Sequence, residues 1–225
     1  MIFDKKDCVP TPPYNHKGFT LAETLIALVI IGVIAALTVP SLINKTQNQE
    51  TVSKLKKAYS TFSQVTNSII AEKGTPRASY GGWATTKDDI YEIYKKYLIN
   101  AKDCGSVPGC FTQEYFKTLA GAKTGNWDTT EGYKKLVLSD GTQVIFENWI
   151  HADCNGDANG STNWCARIFV DLNGSKKPNI VGRDVFGFVI KEKSLQPIGC
   201  DTYSCEGTYG FGCTCKILKE EAINY

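Results

Sequence analysis

The feature that most constrains this chain is an apolar run from Phe19 to Ile43, in which Glu23 is the only charged residue. At about 1.5 Å rise per residue, a helix of this length crosses a hydrocarbon core of about 30 Å. The run therefore predicts a single membrane span with one carboxylate near its start. Because a carboxylate at membrane depth costs on the order of 2.5–3.5 kcal/mol to insert, we expect Glu23 to have a partner.

The rest of the 225-residue chain is long enough to form one globular domain with a sizeable core. Its formal net charge is +2, and the basic residues are scattered among Asp and Glu. Nucleic-acid interfaces and polybasic membrane patches both require clustered positive charge, so neither is indicated here.

The cysteines indicate on which side of the membrane the domain after the span lies. Cys8 precedes the span and the other eight cysteines follow it. An even set of this size predicts disulfides on the periplasmic or extracellular side; reduced thiols in a cytosolic domain are the alternative. We expect a local Cys104–Cys110 bridge, a polar loop tied by Cys154 and Cys165, and bridges among the last four in an order that the sequence leaves open. The eight are Cys104, Cys110, Cys154, Cys165, Cys200, Cys205, Cys213 and Cys215.

The span begins directly after a polar leader. Residues 1–18 contain three prolines and are not expected to form a packed element. The run Lys17–Glu23 reads Lys-Gly-Phe-Thr-Leu-Ala-Glu, with Gly32 in mid-span and Pro40 near its end. This combination, over residues 17–43, resembles the class III signal of type IV pilins and type II secretion pseudopilins.

The resemblance has consequences for processing and assembly. It implies cleavage between Gly18 and Phe19 by a prepilin peptidase, and N-methylation of Phe19. It also implies assembly, at a pilus or secretion platform in the inner membrane, into a filament of this chain alone or mixed with other pilins.

Elementary electrostatics gives Glu23 a partner in such a filament. Cleavage after Gly18 would expose an α-amine at Phe19, a cation within reach of Glu23 in the same or a neighbouring chain. Pairing would neutralise both charges inside an apolar helix bundle, whereas the alternative for Glu23 is snorkelling to the lipid headgroups. Gly32 permits close helix approach, and Pro40 predicts a kink or a locally melted turn near residues 36–40.

Beyond Ile43 the pattern becomes amphipathic and predicts one continuous helix to about Lys73, ended by Gly74-Thr75-Pro76. Its apolar stripe is Val52, Leu55, Tyr59, Phe62, Val65, Ile69 and Ile70. The predicted organisation is a leader at 1–18, a transmembrane and assembly segment at 19–43, an amphipathic segment packed on the head at 44–74, and a periplasmic or extracellular head at 75–225.

The head sequence predicts two helices followed by a sheet. Thr86 is a candidate N-cap for a helix to about Asn100, and residues 111–120 are a candidate short helix. Asp140-Gly141 predicts a two-residue type I′ hairpin. With the strands at 167–172 and 185–191, this gives an antiparallel sheet of about four strands on the long helix, an α+β fold like that of type IV pilins.

The sequence contains no catalytic constellation, so we expect a protein that is not an enzyme. Of the two histidines, His16 would leave with the leader, and His151 alone has no nucleophile to activate. No cofactor is required by this interpretation. Zinc bound by the last four cysteines is disfavoured on the oxidising side of the membrane.

Calcium is a candidate ligand because one loop is rich in oxygen donors. Asp171, Asn173, Asn179 and Asp184 lie with glycines and a proline between two predicted strands, although their spacing is not that of an EF-hand. The alternative is an Asn-Gly turn stabilised by side-chain hydrogen bonds. A second polar loop, residues 153–160, lacks the glycine and the bidentate Glu of an EF-hand.

The function favoured by the sequence is that of a structural subunit of a type IV pilus or type II secretion pseudopilus. It would be a single-pass inner-membrane precursor before assembly. The alternative is a monomeric membrane-anchored binding protein with a disulfide-rich domain outside the cytoplasm. The mature N-terminus discriminates between them, because a simple anchor keeps Met1.

Overall fold

The computed structural model describes residues 18–111, 114–202, 205 and 210–225. Leader residues 1–17 lie outside this part of the chain, so the structure says nothing about them. By compactness the chain divides into two units, Met1–Lys45 and Thr46–Tyr225.

Helix α1 runs from Leu21 to Lys73, as predicted. It ends at Gly74, whose φ of 78° lies in the left-handed region that glycine adopts without strain. The helix is continuous through residues 36–40, so the locally melted turn expected beside Pro40 is absent from this structure.

The part of α1 that belongs to the head buries a stripe at intervals of three and four residues, which the amphipathic pattern predicts. Ala58 and Thr66 are also buried. The predicted stripe residues Tyr59, Val65 and Ile70 are only partly buried. Burial of the Thr66 hydroxyl is compensated by a hydrogen bond of 2.6 Å with the Tyr94 hydroxyl. The buried residues are Val52, Leu55, Ala58, Phe62, Thr66 and Ile69.

The described residues of the head also form α2 at Lys87–Tyr97, α3 at Cys213–Glu220 and a 3₁₀ turn at Ala78–Tyr80. Thr86 caps α2 as predicted: its hydroxyl accepts the N–H of Asp89, and the Asp89 carboxylate accepts the N–H of Thr86.

Within the described residues the main sheet is antiparallel and has seven strands, which confirms the α+β class. The four predicted strands form its centre, and three short strands extend it beyond the four expected. The strands are β1 Lys102–Gly105, β4 Lys134–Val137, β5 Gln143–Phe146, β6 Gly156–Ala158, β7 Ser161–Asp171, β8 Val185–Lys191 and β9 Leu195–Pro197. Their spatial order is β1-β4-β5-β7-β8-β9, with β6 paired to β7.

The two faces of this sheet are covered differently. On one face, α1 packs against β8, where the Phe188 ring lies 5.8 Å from the Tyr59 ring and 6.1 Å from the Phe62 ring. The other face carries a second apolar cluster that includes Phe116, Trp127 and Phe169. Because both faces are buried, β8 is buried along nearly its whole length.

The short helix predicted at 111–120 is wrong in the described residues of that segment. Residues 116–117 form strand β2 (Phe116–Lys117), paired with β3 (Lys123–Gly125). Phe116 is fully buried and stacks on Trp127 with ring centroids 4.4 Å apart. The aromatic contact across the sheet face overrides the local helical pattern.

The hairpin between β4 and β5 lies where it was predicted, but the two-residue type I′ turn is wrong. The N–H of Leu138 donates to the carbonyl of Thr142, and that of Gly141 to the carbonyl of Leu138, which leaves a three-residue loop. Type I′ requires a positive φ at both central residues, and only Gly141 has one in this loop, at 86°. Asp140 instead accepts the N–H of Thr142 through its side chain.

All eight cysteines that follow the span form disulfides, as predicted. The local bridge is Cys104–Cys110, and Cys154–Cys165 ties the β6–β7 hairpin to its preceding loop. The last four pair among themselves, and the structure resolves the order that the sequence left open as Cys200–Cys215 and Cys205–Cys213.

A buried ion pair holds the Cys104–Cys110 loop on the sheet. The Lys135 ammonium lies 3.1 Å from Asp128 Oδ1 and 2.9 Å from the carbonyl of Val107, and both charged side chains are almost wholly buried. The Asp128 carboxylate also accepts the N–H groups of Gly109 and Phe111, at 2.6 and 3.1 Å. Burial opposes the charge on Asp128, but these donors and Lys135 outweigh it and lower the pKa of the carboxyl.

Replacing Lys135 by Met is expected to lower the free energy of unfolding by about 3–5 kcal/mol, because it leaves the Asp128 charge buried without its cation. Urea denaturation of the full chain in detergent, followed by tryptophan fluorescence, measures this. The control is Lys57→Met, which removes an exposed pair with Asp140 at 2.7 Å and should change little. Equal effects of the two substitutions would contradict the role assigned to the buried pair.

Candidate functional site

Of the residues predicted for assembly, Glu23, Gly32 and Pro40 lie on the exposed N-terminal part of α1, and Phe19 precedes its first residue, Leu21. The most apolar 18-residue window of this helix has a mean hydropathy of 2.7, and none of that window is buried. In the described chain this is the one helix long and apolar enough to cross a membrane, a test that signal sequences also pass. Phe19 is 86% exposed and Leu37 75% exposed, so this surface is available to lipid or to other helices.

Glu23 is hydrogen-bonded to Thr20 at the first turn of this helix. The N–H and the hydroxyl of Thr20 donate to Glu23 Oε2, at 2.8 and 2.9 Å, and the N–H of Glu23 donates to the Thr20 hydroxyl at 3.2 Å. This is a capping box, which satisfies donors that the first turn otherwise leaves unpaired. Thr20 is a capping residue that the sequence interpretation lacks, although T-x-x-E spacing before an apolar run is the sequence signature of a capping box.

Gly32 and Pro40 are on the same exposed segment. A Cβ added at Gly32 would meet nothing within 4 Å, so no contact of the described chain requires glycine there. A requirement for glycine at this position would therefore come from a neighbouring helix.

The four predicted calcium ligands come together in the loop between β7 and β8. Asp171 is fully buried, and Asp184 and Asn179 are 4% and 2% exposed. Asp171 Oδ1 accepts the N–H groups of Asn173 and Gly174, both at 3.1 Å. These are the turn-stabilising bonds of the alternative interpretation, and they account for one of the two carboxylate oxygens.

Asp184 organises the other side of the loop. Its Oδ1 accepts the N–H of Ile180 at 2.6 Å, and its Oδ2 accepts the N–H of Asn179 at 2.7 Å and the side-chain amide of Asn173 at 3.0 Å. The loop is thus folded around a carboxylate, with its amide groups turned inwards.

Several oxygens in this loop are buried without any partner. Asp171 Oδ2, Asn173 Oδ1 and Asn179 Oδ1 accept no hydrogen bond. Leaving such a group unsatisfied costs about 1–3 kcal/mol, and more when it is charged. Turn formation explains Asp171 Oδ1 but not these three atoms.

The two buried carboxylates of the loop also have no cationic partner in the described residues. Burial, and then the neighbouring charge of Asp184, raise the pKa of Asp171 to about 8. Burial likewise raises the pKa of Asp184 against the hydrogen bonds that it accepts. Within the described part of the chain, neither carboxylate forms an ion pair with Lys or Arg.

Two buried carboxylates and unpartnered amide oxygens are the donor set of a hard cation such as Ca²⁺. Asn173 and Asp184 also line a cleft of about 350 Å³ beside α1, which offers a path from solvent. In the described residues, no group of three or more His, Cys, Asp or Glu side chains could hold a metal. This loop uses only two such residues, and its remaining oxygens are amides.

The second polar loop shows no comparable arrangement. Asp153 accepts the N–H of Ser79 at 3.0 Å, and Asn155 contacts the His151 ring at 3.3 Å. The disulfide expected between Cys154 and Cys165 is present, but residues expected to be loop form strand β6 of the β6–β7 hairpin.

Comparison with known proteins identifies the N-terminal segment. The family model described as the prokaryotic N-terminal methylation motif matches residues 14–39. This motif is the class III signal of type IV pilins and pseudopilins, so the chain carries the signal of a pilin-like, membrane-anchored prepilin. No curated protein and no solved structure matches the chain.

Proposed function

We propose that this protein is a subunit of a type IV pilus or a type II secretion pseudopilus, which assembles through its N-terminal helix. The methylation motif at residues 14–39 is the observation that carries the proposal. The most apolar window of α1 has no buried residues, which leaves it available for assembly, and the disulfide-bonded head suits the outer side of the membrane.

The mechanism of assembly follows from the chemistry of the first five mature residues. Prepilin peptidase would cut between Gly18 and Phe19, and N-methylation of Phe19 would leave its amine basic. That amine is the cation that Glu23 needs at membrane depth. Because it exists only after cleavage, assembly would depend on processing.

The rival function is that of a monomeric anchored binding protein. Under that alternative the mature chain begins at Met1, whereas the proposed subunit begins at N-methylated Phe19. Mass spectrometry of the mature N-terminus therefore tests the proposal directly. A mature chain that retains residues 1–18 would overturn it.

Replacing Glu23 by Gln is expected to abolish filament assembly while membrane insertion and cleavage continue. Gln keeps an oxygen that can accept hydrogen bonds from Thr20 but has no charge to pair with the amine. The variant therefore removes the charge pairing while it retains the helix cap. Electron microscopy of filaments and gel analysis of the processed chain measure the two effects.

Two further variants complete that comparison. Glu23→Val, which removes both interactions, should fail in the same way. Thr38→Val is the matched control, because it removes a side-chain bond of 2.9 Å to the Ile34 carbonyl on the same exposed helix, and it should assemble normally. Normal filaments from Glu23→Gln would show that the charge is not an assembly contact.

We also propose that the β7–β8 loop of the head binds calcium. The support is the set of buried, unpartnered oxygens on Asp171, Asn173 and Asn179, beside the second carboxylate of Asp184. A bound divalent cation would neutralise two carboxylates that now have no cationic partner. It would hold the loop that joins the two central strands.

Calcium at about 100 times its Kd is expected to stabilise the folded head by about 2.7 kcal/mol and to raise its melting temperature by roughly 5–10 °C. Asp171→Asn should abolish this response and, with chelator present, be no less stable than the wild type. The matched control, Asp157→Asn at an exposed position of strand β6, should keep the response. Melting of the full chain in detergent gives both values, and a wild-type head unmoved by calcium and by chelator would refute the site.

A further inference from the structure

Unpartnered buried polar atoms are concentrated in one place in this molecule. Six such side-chain atoms occur in the described residues, and five of them belong to four residues in or facing the β7–β8 loop. The sixth is Trp164 Nε1. The five are Gln143 Oε1, Asp171 Oδ2, Asn173 Oδ1, Asn179 Oδ1 and Asn179 Nδ2.

Gln143 is the member of this set that does not belong to the loop. It is the first residue of β5, 3% exposed, and directly opposite Asp171 of β7 in the antiparallel register. Directly opposed residues share one face of a sheet, with Cβ atoms about 4.5–5.5 Å apart. The two side chains therefore leave their strands side by side.

The contacts of Gln143 show that its amide reaches the loop. Its Nε2 donates to Ser175 Oγ at 3.2 Å and lies 3.8 Å from the position that a Cβ on Gly174 would occupy. With the nitrogen engaged by the loop, the oxygen is the end left without a partner. This unpartnered amide oxygen of Gln143 is buried beside Asp171, whose carboxylate also has an unpartnered oxygen, Oδ2.

We infer that Gln143 Oε1 is a further ligand of the cation that the β7–β8 loop binds. The inference rests on the calcium site proposed above and extends it from one loop to two neighbouring strands. Four side-chain oxygens are then available without breaking any hydrogen bond, and Ca²⁺ accepts such a mixture of carboxylate and amide ligands with water.

A neutral ligand at this position is compatible with the charge balance of the site. Asp171 and Asp184 together supply two negative charges, which a divalent cation neutralises. Gln143 adds an oxygen without adding charge, so it contributes coordination and leaves that balance unchanged.

Gln143→Met and Gln143→Glu test the inference with opposite expected signs. Met is similar in length but has no oxygen to coordinate the ion, and it should raise the calcium Kd at least about tenfold, a loss that even outer partners of a metal cause. Glu supplies an oxygen and a charge and should lower the Kd several-fold, because ligand charge tunes calcium affinity.

Isothermal titration of the full chain in detergent with CaCl₂ measures these constants, and near-ultraviolet circular dichroism verifies folding. Gln196→Met in β9 is the matched control and should leave the Kd unchanged. If Gln143→Met does not fold, the Gln143→Glu constant decides alone.

The outcomes separate this inference from the proposals on which it rests. A Gln143→Met Kd within twofold of the wild type, while Asp171→Asn abolishes binding, would overturn the role of Gln143 and leave the calcium site intact. Weaker binding by Gln143→Glu would assign Gln143 a packing role and also overturn it. A wild-type chain that binds no calcium would overturn the site and the inference together, without bearing on the mature N-terminus.

Discussion

The pairing of β7 with β8 is the interaction on which the rest of the head depends. The two strands are paired from Trp164–Lys191 to Asp171–Val185, and they are buried on both faces. The head segment of α1 packs on one face, and an aromatic layer around Trp127 and Phe169 packs on the other. The loop that joins them begins at Asp171, so the candidate cation site lies at the end of the most extensively paired strands of the sheet.

Two buried carboxylates of this head, Asp128 and Asp171, have contrasting electrostatic environments. Asp128 has Lys135 and backbone N–H groups, and its pKa falls despite burial. Asp171 has backbone donors on one oxygen only and a second carboxylate nearby, and its pKa rises. In the first arrangement the chain itself supplies the cation that neutralises the buried carboxylate. The second has no cationic partner within the described residues, which is the physical basis of the calcium proposal.

Local signals were sufficient to predict the elements whose structure is decided locally. The apolar run and Gly74-Thr75-Pro76 define α1, Thr86 with its following acids defines the start of α2, and short apolar runs define the four central strands. The prediction was wrong where local patterns are ambiguous. Asp140-Gly141 is compatible with a two-residue or a three-residue loop. The conformation at Phe116 is decided by its stacking on Trp127 and not by the local helical pattern.

Other features could not be predicted because they depend on register and tertiary contact. Lys135 is an ordinary lysine in its strand sequence, and only the folded chain brings the Val107 carbonyl and Asp128 to its ammonium. The position of Gln143 opposite Asp171 likewise exists only once β5 and β7 are paired. The acids and amides of the loop itself were visible in the sequence, since their residue types alone suggested oxygen coordination.

In the capping box at the start of α1, the two carboxylate oxygens of Glu23 have different hydrogen-bonding environments. Both bonds from Thr20 end on Oε2, and in the described chain no hydrogen bond to Oε1 is present. A carboxylate has about four lone-pair sites, so one oxygen can keep the first turn of the helix ordered while the other faces outwards. An amine of a neighbouring chain could then bind Glu23 without unwinding the helix that presents it, and the same residue would serve the folded precursor and the polymer in turn.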